Sequence, residues 1–354
     1  MDNPVFILAD LNARLRFQSL WKLGIEGEGI TVAVIDTGIN HALDLGKSIV
    51  LDKDFTGENN PAGPQNSHAT AIATGIHLMA PKAGIANLRA LSEQKDPDRE
   101  TVCKAIQFCI EQYPQYKIVN LSLYFLPEGC SETKRCVLCA KVNEAVKKGI
   151  VVVAAAGNLG PKPGSITCPA LADNAIAVVS TWTKKEAEWW KNTSNLKKWW
   201  VQATGEFGES FGTSYSAAWA SGGIALLLSA FKEAYPSEIK QSIFNSAFKL
   251  KNSPETSGLM QCEEAFNLLI NPQRHETAKR ELYYLMGNEE AQKNEFSKAK
   301  WALGLALSFI EYRLVKEKKY QEAKGELREI LKYIIPGVFP SHEQKIKQLF
   351  ESCY

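Results

Sequence analysis

Short β-branched runs alternate with helix-length stretches along most of this chain, and that alternation is its tightest constraint. Ile30-Thr31-Val32-Ala33-Val34-Ile35 is apolar on both faces, as a strand inside a parallel sheet must be. Further strands are expected over 86–91, 117–123, 150–155 and 175–179. Between them fall a small-residue helix from His68 to Gly75 and helices over 99–112 and 137–148. Parallel strands need helix-length crossovers, so the pattern predicts a doubly wound, mostly parallel α/β sheet. A lead-in helix is expected from Asn12 to Leu23, and a loop rich in Gly, Asn and Pro from Asp52 to Ser67.

Composition narrows the function classes. With 354 residues, 45% hydrophobic and 23% charged, the chain is long enough for a full core and roughly two domains. A net charge of +2 gives no electrostatic case for nucleic acid or an anionic membrane as partner. No apolar run approaches bilayer-spanning length, and Met1-Asp2-Asn3-Pro4-Val5-Phe6 lacks a basic segment followed by an apolar one. A cytoplasmic location is therefore expected, with the eight cysteines mostly as reduced thiols. Cys130, Cys136 and Cys139 cluster with no second cluster placed to complete a metal site. They read as a loop able to oxidise, and no metal is assigned. Residues 181–211 carry Trp182, Trp189-Trp190 and Trp199-Trp200 among lysines, diluted by Glu186, Glu188, Glu206 and Glu209. They read as a loop over the core or along a cleft.

Beyond the α/β pattern, helices are expected over 238–250 and 262–269, and Asn271-Pro272 is a natural boundary. Residues 272–354 are mixed-charge and helical, with Phe296, Ala299 and Leu303 echoed by Tyr320, Ala323 and Leu327. The spacing suits a helical hairpin or small bundle. The expected organisation is an extension over 1–17, an α/β domain over 18–271 and a small all-α domain over 272–354.

Gly212-Thr213-Ser214-Tyr215-Ser216-Ala217-Ala218 leads into the apolar run Ile224-Ala225-Leu226-Leu227-Leu228. Ser214 is thus expected at the N-terminus of a buried helix, where free N–H groups favour developing negative charge. Such a serine can be a plain helix cap or a nucleophile. Nucleophilic chemistry needs a base, a carboxylate to orient it and donors for the oxyanion. Asp36 ends the first strand, His68 begins a helix, and Asn158 follows the Ala154-Ala155-Ala156-Gly157 turn as an amide donor.

With those motifs in the order Asp, His, Asn, Ser, residues 18–269 resemble the subtilisin-like serine proteases. Val34-Ile35-Asp36-Thr37-Gly38-Ile39 is similar to the segment of that family's catalytic aspartate. Ser67-His68-Ala69-Thr70 with Met79-Ala80-Pro81 is similar to the histidine segment. Val119-Asn120-Leu121-Ser122-Leu123 resembles a substrate-flanking strand, Ala154–Asn158 the oxyanion segment and Gly212-Thr213-Ser214 the nucleophile segment. The resemblance implies a serine endopeptidase acting on a protein or peptide through an acyl-enzyme. Ser214 is then nucleophile, His68 base and Asp36 its orienting carboxylate, with Asn158 at the oxyanion. Leu121, Ser122, Leu123, Tyr124, Ala155, Ala156 and Gly157 flank the substrate. No cofactor is required; Asp44 resembles a calcium-binding position of some members, with the other ligands unassigned.

Three departures bear on the cleft. Ala69 replaces a glycine, Tyr215-Ser216-Ala217-Ala218 replaces a stretch ending in proline, and Tyr124-Phe125 replace two glycines. A narrowed subsite and restricted specificity follow as expectations. The helical region over 272–354 is expected to regulate access or bind a regulatory protein. The first residues could lie in the cleft, although an arm packed on the surface is the simpler reading. The alternative function, a retired protease fold serving as a protein-binding module, predicts loss of a triad residue, and all three are present. An α/β-hydrolase esterase would place its acid and histidine after the serine, the reverse of the order here.

Overall fold

The computed structural model describes residues 12–354 apart from 42–44, 65–66, 93, 95, 127–128, 131–135, 160–164, 182–199, 205, 208–209, 250–257 and 286–294. Contacts divide the chain into two compact units, Met1–Ser229 with Ile239–Ala265, and Ala230–Glu238 with Phe266–Tyr354.

The first unit is built on seven strands: β1 (Thr31–Asp36), β2 (Ile49–Asp54), β3 (Gly84–Arg89), β4 (Ile118–Leu121), β5 (Val151–Ala155), β6 (Ile176–Thr181) and β7 (Trp200–Thr204). They form one parallel sheet in the order β2-β3-β1-β4-β5-β6-β7. This is the doubly wound α/β sheet that the alternating pattern predicts. The winding reverses at β1, flanked by β3 and β4. In such sheets ligands gather outside the carboxyl ends of the strands at this reversal, and Asp36 is the last residue of β1.

Two strands depart from expectation. The loop expected from Asp52 instead begins later, because β2 runs to Asp54 as an edge strand with its residues half exposed. An edge strand tolerates Asp52, Lys53 and Asp54, which hide its character in the sequence. At the opposite edge, Trp200–Thr204 pairs with β6 from Ala177 to Thr181, so part of the tryptophan-rich stretch is sheet and not loop. The tryptophans from Trp182 to Trp199 lie outside the described residues.

Helix ends also shift. The lead-in helix is broken where Arg16 takes φ 52° and resumes over Gln18–Lys22. The helix expected to reach Leu250 spans Pro236–Ser246. The helices Arg99–Glu111 and Val137–Lys148 agree with expectation within a residue.

The second unit is helical, as expected of the C-terminal region, with helices Pro272–Leu285, Phe296–Phe309, Tyr320–Leu331 and Pro340–Glu351. Ala299, Leu303, Ala323 and Leu327, the echoed apolar positions, are all buried. No described helix is long and apolar enough to cross a membrane.

Candidate active site

The site starts at the end of β1. The Asp36 carboxylate is 1% exposed, and its Oδ1 accepts the Thr37 backbone N–H at 2.7 Å. Gly38 then turns the chain with φ +93°, and an added Cβ would meet the Pro61 carbonyl oxygen at 2.6 Å. That turn brings the Gly38 carbonyl to Ser67, whose hydroxyl donates to it at 2.6 Å. Ser67 is also the N-cap of helix His68–Met79, its Oγ accepting from the Thr70 N–H. The helix start is thereby pinned beside Asp36, and His68 is its first residue.

His68 Nδ1 lies 3.0 Å from each oxygen of Asp36. Burial pushes the His68 pKa down, but the Asp36 charge and hydrogen bond outweigh it, and the net shift is upward from 6.5. A buried carboxylate at this nitrogen fixes the tautomer and favours the imidazolium.

Ser214 opens onto the same region from helix Thr213–Ala230. Small residues let this helix lie against His68–Met79. A Cβ on Gly222 would fall 2.5 Å from Met79 Cβ, and one on Gly75 would fall 3.3 Å from Ala218 Cβ. The Ser214 hydroxyl donates to the Ser122 carbonyl oxygen at 3.1 Å. In return, Ser122 Oγ lies 2.9 Å from the Ser214 carbonyl oxygen and 3.0 Å from Asn120 Oδ1, acceptors that share its one proton. Asn120 is itself held by its Nδ2 donating to Ser221 Oγ at 3.0 Å.

Asn158 follows β5 and is exposed. Its Oδ1 accepts both the Thr213 backbone N–H and the Thr213 hydroxyl at 3.1 Å. Thr213 Oγ1 in turn accepts the Gly157 N–H at 3.2 Å. A backbone N–H can only donate, so the oxygen of Asn158 is committed as the acceptor and its NH₂ remains a donor.

The sequence profile of the subtilase family matches residues 27–281. The chain belongs to the subtilase family. It is 29% identical over 256 residues to the major intracellular serine protease of Bacillus subtilis (strain 168), covering 64% of this chain and 77% of that one. Thermitase of Thermoactinomyces vulgaris is 35% identical over 182 residues, which span 48% of this chain and 60% of thermitase. Among solved structures, the A-subunit of the AB5 toxin from E. coli aligns with TM-score 0.58 at 20% identity, over 73% of this chain and 98% of that one. That likeness is one of fold. Family membership makes this subtilase a serine protease of subtilisin type, acting on protein or peptide substrates.

The residues expected to flank substrate divide by burial in this subtilase. Leu121, Leu123 and Ala156 send their side chains into the core cluster beneath β4 and β5. Ala155, Gly157 and Ser122 are buried as well, so these segments would meet a ligand through backbone. Tyr124 is 44% exposed. Ala69 is fully buried, and the Tyr215 ring stands 6.1 Å from that of His68. Asp44 lies outside the described residues. Thr37, Ser67 and Thr213, which position the candidate residues, escape sequence reasoning. Their only signal is a hydroxyl residue directly beside Asp36, His68 and Ser214.

Proposed function

We propose that Asp36, His68 and Ser214 form the catalytic triad of this protease, with Asn158 at the oxyanion. The observation that carries the reading is the buried Asp36 carboxylate, both oxygens 3.0 Å from His68 Nδ1. It holds the proton on Nδ1 and leaves Nε2 as the acceptor a serine hydroxyl needs.

The chemistry follows from the donors. Ser214 Oγ first rotates away from the Ser122 carbonyl oxygen and onto His68 Nε2. It attacks the peptide carbonyl carbon while Nε2 takes its proton and the carbonyl electron pair moves to oxygen. The Asn158 NH₂ and the Ser214 backbone N–H, free at the helix N-terminus, receive that charge. Collapse expels the amine with the proton from His68, and water repeats the cycle to release the acid. These steps call on no cofactor. Calcium at Asp44 stays an additional proposal on the resemblance.

The substrate would lie extended between 121–124 and 155–157, with Tyr124 and Phe125 narrowing its path. We further place the protease in the cytoplasm, in line with the name of its intracellular Bacillus relative. Residues 18–271 then form the protease domain, residues 1–17 an extension, and the helical residues 272–354 a regulatory or partner-binding domain.

A fluorophosphonate probe tests the core of this reading. The intact wild-type chain should be labelled at Ser214 and the Ser214→Ala chain should not. An unlabelled wild type, beside a control subtilase that labels, would overturn it.

A further inference from the structure

Four cysteines that the proposed mechanism does not use converge on one point. The Sγ atoms of Cys130, Cys136, Cys139 and Cys168 all lie within 4.8 Å of one another. Cys130 and Cys139 are 3.6 Å apart at sulfur, and Cys136 and Cys168 are 3.7 Å apart. Four thiolates at about 2.3 Å from a tetrahedral zinc stand about 3.8 Å from each other. The observed pairs match that edge. They are far too long for a disulfide, which needs about 2.05 Å, and all eight cysteines are free. Iron–sulfur clusters spread their thiolates over several irons, so a set this tight suits a single ion.

A helix N-terminus and one cation lie beside the four sulfurs. Cys136 caps helix Val137–Lys148 and Cys139 sits in its first turn, where the helix dipole stabilises thiolate. The Cys136 backbone N–H hydrogen-bonds the Cys130 sulfur. Arg99 brings positive charge to bear on Cys168, and its buried Nε–H has no hydrogen-bond partner among the described residues. A zinc tetrathiolate carries a net charge of about −2, which a half-buried guanidinium nearby would help to balance. Arg99 is held there by its Nη2 donating to the Leu126 carbonyl oxygen and by the Phe125 ring 5.1 Å from its guanidinium.

We propose that Cys130, Cys136, Cys139 and Cys168 bind one zinc ion as a closed, structural site. Four thiols lose their protons as four Zn–S bonds form, with no oxidation. Three of the four cysteines are buried, and four protein ligands leave no open position for catalysis. The ion would brace the region flanking the candidate cleft. Phe125, next to Tyr124, exchanges backbone hydrogen bonds of 2.8 and 3.2 Å with Cys168. The neighbouring Thr167 bonds the Ala156 carbonyl oxygen through its N–H and its hydroxyl, at 3.0 and 3.1 Å. Thr167 Oγ1 also fills the space beside Gly157, where a Cβ would come within 2.5 Å. A metal here therefore ties both substrate-flanking segments to one helix.

Metal analysis of the intact chain, purified under reductant from zinc-supplemented cells, tests the site. The expected result is about one zinc per chain, released by a thiol-directed mercurial. Zinc content should fall to near zero in Cys139→Ser and in Cys168→Ser, and stay unchanged in Cys103→Ala. Should the serine variants not fold, cobalt exchange into the wild type decides. Thiolate-to-cobalt charge-transfer bands with tetrahedral d–d bands support the site. Strongly substoichiometric zinc without that cobalt spectrum overturns the proposal. So does an intact mass showing disulfides among these cysteines, or a mononuclear iron in place of zinc.

Discussion

Asn158 and Thr213 are joined by two hydrogen bonds of 3.1 Å, both ending on Asn158 Oδ1. The oxygen of the amide is structural, which frees its NH₂ for chemistry. Substitution can separate these two halves. Asn158→Asp keeps the acceptor and loses the donor, so kcat should fall about 10²–10³-fold with the melting temperature nearly unchanged. Asn158→Ala should lose the same rate and about 1 kcal/mol of stability besides, since the Thr213 N–H is left without its partner. Near wild-type kcat in Asn158→Asp would remove Asn158 from the oxyanion role.

The Asp36–His68 contact predicts a pH signature. With its pKa raised from 6.5 by Asp36, His68 stays charged to higher pH, and while charged the proposed base cannot accept a proton. The acid limb of kcat/KM should report it. Replacing Asp36 with Asn removes the charge that holds the pKa up. The limb should then move to lower pH while kcat drops about 10⁴-fold. The stability side has a definite sign. A base with a raised folded pKa stabilises fully below its unfolded pKa, and that share is lost as pH rises through the folded value. Nuclear magnetic resonance titration of the His68 ring in both chains checks the shift; an unmoved pKa in Asp36→Asn would contradict it.

Much of this arrangement is legible in the sequence because its parts are local. The β-branched run of β1, the Gly212-Thr213-Ser214 turn and the order of Asp36, His68, Asn158 and Ser214 need no third dimension. The edges are different. In β2, Asp52, Lys53 and Asp54 face an environment only half buried, so period and hydrophobicity both fade. Contacts between distant residues leave still less trace. Cys168 stands 32 positions from Cys136, and three nearby cysteines look like an incomplete set until the fold delivers the fourth. The bonds from Thr213 to Asn158 likewise span 55 positions and follow from no local pattern.

Helix approach sets the distance between the two termini that carry His68 and Ser214, and Gly222 is a tight point of that approach. A methyl there would fall 2.5 Å from Met79 Cβ and 3.1 Å from the Ile76 carbonyl oxygen. Gly222→Ala should therefore cost roughly 1–3 kcal/mol despite alanine's better helix propensity. Activity should fall with it, because His68 and Ser214 lie in the first turns of the two helices being pushed apart. Thermal melting of Gly222→Ala, Met79→Gly, which removes the Cβ that the methyl would meet, and the pair checks the cause. If the methyl clash is responsible, the double variant should be more stable than the two single losses add up to.

Ser122 acts on Ser214 twice, and its side chain can be removed while its carbonyl stays. Ser122→Ala keeps the acceptor of the Ser214 hydroxyl but strips a donor from two acceptors, Asn120 Oδ1 and the Ser214 carbonyl oxygen. Buried acceptors left short of a donor cost roughly 1–3 kcal/mol, so the variant should melt lower. Slower fluorophosphonate labelling should accompany this, since the Ser214 backbone loses its tie to the residue that follows β4. Ser122→Thr restores a hydroxyl at the same atom and should recover both properties if its extra methyl is accommodated. A Ser122→Ala chain that melts and labels like wild type would mean that Ser122 positions Ser214 through its backbone alone.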